Sequence, residues 1–60
     1  MQTLTIAGLE SVYEQLAEAL DRAPQAQREL FLVKLALLAA EALGEPERFA
    51  ELTEAALLDL

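Results

Sequence analysis

Four carboxylates, Glu10, Glu14, Glu18 and Asp21, recur at four- and three-residue steps, which on a helix stacks them along one side. Such a row could chelate Ca²⁺ or Mg²⁺, or face a basic protein. Calcium and magnesium, however, prefer convergent oxygens from a preshaped loop. The di-iron sites of helical bundles add histidine at Glu-x-x-His spacing, and this chain has no histidine. A solvated acidic face is the reading these residues favour. Lys34 is the other candidate, because an amine stranded in the apolar stretch LFLVKLALLAA could act as a desolvated Schiff-base lysine. The commoner outcome is that a lone lysine lays its stem along apolar surface and puts its ammonium in water. There is no cysteine nucleophile and no glycine-rich loop to cradle phosphate. The residues therefore predict no catalytic, cofactor-binding or metal site, no cofactor, and no enzymatic activity.

The elements that carry these side chains are set off by prolines and a glycine. Pro24 and Pro46 sit where a first helical position would be, and Gly44 suits a left-handed cap for the segment before it. Thr5 can cap the first segment, although Gly8 inside its opening turns costs about 1 kcal/mol relative to alanine. These signals predict helices at about 6–22, 24–43 and 46–59 within a single domain, 1–60. In the first, Ile6, Leu9, Val12, Tyr13, Leu16 and Leu20 share one face. In the third, Phe49, Leu52, Thr53, Ala56, Leu57 and Leu60 lie opposite Glu47, Glu51 and Glu54, and Leu58, at 100° per residue, lands among those glutamates.

The second helix differs, since its polar side chains beyond the first turns form one narrow stripe, Gln27, Lys34 and Glu41, spaced by sevens. Everything else from Leu30 to Leu43 is apolar, and a helix apolar around most of its circumference belongs in the middle of something. Two neighbours packed across short turns at about 8 to 10 Å can cover roughly half of it. The uncovered remainder, on the order of several hundred Å², rivals the largest apolar patch on a typical soluble monomer. The sequence thus predicts an all-α three-helix unit with an apolar central helix, completed as a bundle by dimerisation. Leu30, Phe31, Leu37 and Leu38 are large and central enough to anchor that interface. Lys34 lies on it, and Leu58 marks a candidate second contact.

Chain size and charge narrow the partners. A chain of 60 residues buries only about 60% of its unfolded surface and usually needs a disulfide, a metal or a partner. Without cysteine or histidine, the partner route remains: a second copy of the chain or another protein. A composition of 55% hydrophobic and 25% charged residues is far from that of a disordered chain. The formal charge of −7 repels nucleic-acid phosphates and anionic headgroups, so neither nucleic acid nor membrane is an expected partner. MQTLTIAG has no basic region leading into an apolar core, and the longest apolar run falls short of the roughly 18 residues of a span, so a cytoplasmic location is expected.

Two resemblances bear on function. Within GLESVYEQL, Glu10-Ser11-Val12 loosely resembles the Asp-Ser-Leu motif of acyl carrier proteins, which are also small, acidic and helical. The carrier serine opens a second helix, whereas only ten residues precede Ser11, so the carrier role does not transfer. Across essentially the whole chain, TIAGLESVYEQLAEAL, RELFLVKLALLAAEALG and FAELTEAALLDL resemble a family of bacterial proteins of this length and unknown function. The likeness rests on the helical pattern and on Tyr13, Phe31, Phe49 and Gly44. Members of that family stand beside genes for aromatic-compound breakdown, and some carry a label relating them to biphenyl-2,3-diol dioxygenase. Extradiol ring cleavage uses an open iron site, usually two histidines and a carboxylate, so the resemblance implies a shared genomic setting and not that activity. The expectation is a small non-enzymatic homodimeric association module, an accessory subunit of an aromatic-catabolism enzyme. The alternative is a small binding protein for an apolar aromatic ligand held at a dimer interface.

Overall fold

The structure, a computed structural model, describes residues 3–60. It is all-α: α1 spans Ile6–Arg22, α2 Arg28–Leu43 and α3 Pro46–Leu57, with no strand among the described residues. Thr5 is extended and its Oγ1 accepts the Gly8 N–H at 3.0 Å, which satisfies one of the free donors at the start of α1. A Cβ at Gly8 would stand 3.2 Å from that same Oγ1, so the glycine leaves room for the cap. Leu16, Ala19 and Leu20 bring the apolar face of α1 toward α2 only in its C-terminal half, where they are half-buried.

The corner between α1 and α2 departs from the sequence expectation. Ala23 turns extended ahead of Pro24, as residues before proline do, and Pro24 itself keeps a helical φ of −55° with an extended ψ of 137°. The second helix therefore opens at Arg28 and not at 24. A single 3₁₀ turn, Gln25–Gln27, fills the gap, closed by the Gln27 N–H on the Pro24 carbonyl at 2.8 Å. Arg28 then reaches back, its Nε donating at 3.1 Å to the carbonyl of Leu20, one of the last four carbonyls of α1 that have no helical partner.

At the other corner Gly44 adopts φ 74°, and its N–H donates to the Ala40 carbonyl at 2.9 Å, the left-handed ending that lets Pro46 start α3 two residues later. The hydroxyl of Thr53, on the apolar side of α3, is satisfied by the Phe49 carbonyl at 2.9 Å. Helix α3 ends at Leu57, two residues before the expected 59. Leu58 is extended (φ −67°, ψ 140°) and Asp59 is left-handed at φ 58°, so the chain leaves the helical path there. Leu58 is the cap residue of α3, its φ still helical, and the path turns away only from its ψ onward.

The helices do not close on a core. Among the described residues no Cα atoms twelve or more apart in sequence come within 8 Å of each other, and none of these residues is buried. The radius of gyration is 12.7 Å, where a compact chain of this length would have about 10.4 Å. The accessible surface is 5563 Å², against about 3,900 Å² for a compact monomer of this mass. Helices α1 and α3 therefore do not lie along α2 and cover half of it, as short connections led one to expect. The extended Ala23 and Pro24 at one corner and the Gly44-Glu45 turn at the other point them away from it.

Candidate protein interface

Helix α2 carries the interface residues, and its neighbours decide which remain open. On the α1 side, Phe31 and Leu35 are half-buried and bound a groove with Val12, Leu16 and Ala19. On the α3 side, Ala36, Ala40 and Leu43 are half-buried, and Ala36 and Ala40 border grooves with Phe49. At 100° per residue Leu30, Lys34, Leu37, Leu38 and Glu41 fall together within roughly 100° of arc outside these two sectors, and Leu32 and Val33, beyond that arc, are exposed too. Leu30 is 57% exposed, Leu37 64% and Leu38 63%. These are large side chains of a helix interior with solvent where a protein core would ordinarily be.

The sequence-predicted residues thus divide. Leu30, Lys34, Leu37 and Leu38 share one open face, and Phe31 borders it, half-covered by α1. Leu58 stands apart from them in the chain, capping the C-terminal end of α3, and is 71% exposed. Lys34 is exposed and sits beside Leu30, Phe31 and Leu38 along a groove of about 320 Å³ that opens at the α1–α2 corner. An exposed lysine among leucines suits a stem laid along apolar surface with its ammonium in water.

The open surface is larger than the sequence suggested. Ile6, Leu9 and Tyr13 at the start of α1, and Leu52 and Leu57 of α3, are exposed as well. The signal for them was present in the amphipathic pattern. Those faces were assigned to packing against the second helix, and the angles at the corners deny them that contact.

Among the described residues no three carboxylates converge to hold a metal ion. The ion pair there is Arg48 Nη1 with Glu51 Oε1 at 3.8 Å, on the surface and worth a few tenths of a kcal/mol. Ser11 lies in the second turn of α1, its hydroxyl accepting from Gln15 Nε2 at 3.3 Å, and so is far from the helix start that a carrier serine occupies. No helix among the described residues is long and apolar enough to cross a membrane. Comparison with known proteins finds no matching family model, no matching curated protein and no matching solved structure.

Proposed function

We propose that this chain is a non-enzymatic association module that works as a homodimer through α2. The observation that carries the reading is the excess of exposed surface: 5563 Å², about 1,700 Å² more than a compact monomer of this size exposes. Two copies that recovered that excess would bury about 3,400 Å² in all, the size of an obligate and largely apolar interface. A second copy suits the surface because the open patch is leucine-rich, as its own complement would be, and closed two-fold symmetry is the commonest way for a small chain to finish a core. The family resemblance supplies the setting, an accessory subunit of an aromatic-catabolism enzyme in the bacterial cytoplasm. The charge of −7 argues against direct contact with nucleic acid or anionic membrane.

Sedimentation equilibrium at micromolar concentration tests this. The expected mass is at least twice the 6.6 kDa of one chain. Leu38→Glu is expected to lower it to one chain or to unfold the protein. A well-folded wild-type monomer at that concentration refutes the proposal.

The groove of about 320 Å³ beside Phe31 and Leu38 favours the second reading, a binding site for an apolar aromatic ligand. It lies at the small end of the roughly 300 to 1,000 Å³ of typical ligand sites and is open on one side, so a second copy would have to wall it. Saturable uptake of a catechol or biphenyl compound, seen by calorimetry, would select this reading, since association alone predicts none.

A further inference from the structure

Resting on the homodimer reading, we infer that the two copies of α2 pair antiparallel, about a two-fold axis between Leu37 and Leu38, with Lys34 of each copy against Glu41 of the other. Lys34 and Glu41 lie on one stripe seven residues apart, about 10.5 Å along the helix axis. Both flank the open leucines, and neither forms an ion pair within its own chain among the described residues. Lys34 borders the groove at the α1–α2 corner with Ala23 and Pro24, Glu41 borders the one at the α2–α3 corner with Pro46 and Phe49, and both side chains are exposed, so this stripe can meet a partner.

The two possible directions differ in sign. Parallel helices in register set Lys34 opposite Lys34 and Glu41 opposite Glu41, and hold the opposite charges apart by about 10.5 Å of axial offset. Antiparallel pairing reverses this. Each Lys34 meets Glu41 of the partner subunit directly, like charges take the offset, and Leu37 packs on Leu38 of the partner subunit. Within a largely dry interface, where opposed like charges repel with little screening, the direction follows from that difference. The two leucines next to the axis supply the centre, and the two ion pairs at either side fix the register. Such a division is usual where apolar anchors hold an interface and charges choose its geometry.

The chain has no cysteine, so Gln27→Cys offers one site for a nitroxide label, and the spin–spin distance in the dimer reads the direction. The antiparallel register predicts roughly 30 Å between labels and the parallel one roughly 10 Å. Sedimentation of the same labelled protein keeps the two claims apart. A monomer overturns the dimer reading itself, whereas a dimer with the short distance overturns only the direction. Charge exchange checks the register. Lys34→Glu alone is expected to weaken the dimer about tenfold or more, by setting two carboxylates face to face. Lys34→Glu combined with Glu41→Lys restores it, because each pair is then merely reversed. A long distance without that rescue overturns the register; should Lys34→Glu fail to fold, the distance and the double variant still decide.

Discussion

Leu38→Ala separates a chain that works alone from one completed by a copy. In the isolated chain Leu38 is 63% exposed, so truncating it removes little buried surface and opens no cavity. A surface substitution of that kind stays within about 0.5 kcal/mol. In the proposed dimer the same side chain would be enclosed next to the two-fold axis, where leucine to alanine costs about 2 to 5 kcal/mol. Each dimer loses two such side chains, so dissociation should become easier by about 4 kcal/mol or more, roughly a thousandfold in Kd. The assay is urea unfolding followed by circular dichroism at low-micromolar and at hundredfold higher concentration. For a dimer that unfolds on dissociating, the hundredfold change moves the apparent stability by about 2.7 kcal/mol. Wild type is expected to show that dependence, and Leu38→Ala to be largely unfolded at the lower concentration and rescued at the higher. Coincident transitions at the two concentrations, with Leu38→Ala within about 0.5 kcal/mol of wild type, would refute the reasoning.

Two further outcomes follow from single features. Gly44→Ala is expected to destabilise by about 1 to 2 kcal/mol, because φ is 74° and no atom lies within 4 Å of the added methyl, which leaves only backbone strain; Gly44→Asn should cost less, and an alanine variant as stable as wild type would contradict the left-handed cap. Since each copy carries −7, raising salt from about 10 mM to 150 mM should tighten the dimer, as screening acts on the exposed like charges more than on the enclosed Lys34 and Glu41 pairs. Sedimentation across that range would show the opposite trend if those pairs outweighed the net repulsion.

Much of the local architecture is legible in the residues because its causes are local. Thr5 caps through a group three residues away, Gly44 ends α2 through a hydrogen bond to Ala40, and Pro46 opens α3 at a position where its missing N–H costs nothing. The Pro24 corner is less legible. The proline ring sets φ but leaves ψ free, and the extended ψ, with Arg28 reaching back to Leu20, delays α2 by four residues. The end of α3 is hard to read for a related reason: nothing in LLDL marks Leu57 as its last helical residue.

What the amino-acid sequence determines here is the all-α class, the apolar character of the central helix, and the stripe of Gln27, Lys34 and Glu41 along it. Each depends on residue type and on a fixed rotation of 100° per residue. What only the tertiary structure decides is how α1 and α3 stand against α2, and hence that Phe31 and Leu35 are half-covered while Leu30, Leu37 and Leu38 face outward with Lys34. Those directions are set by a few backbone torsions at Ala23, Pro24, Gly44 and Glu45, and a small rotation there swings a whole helix toward or away from the leucines.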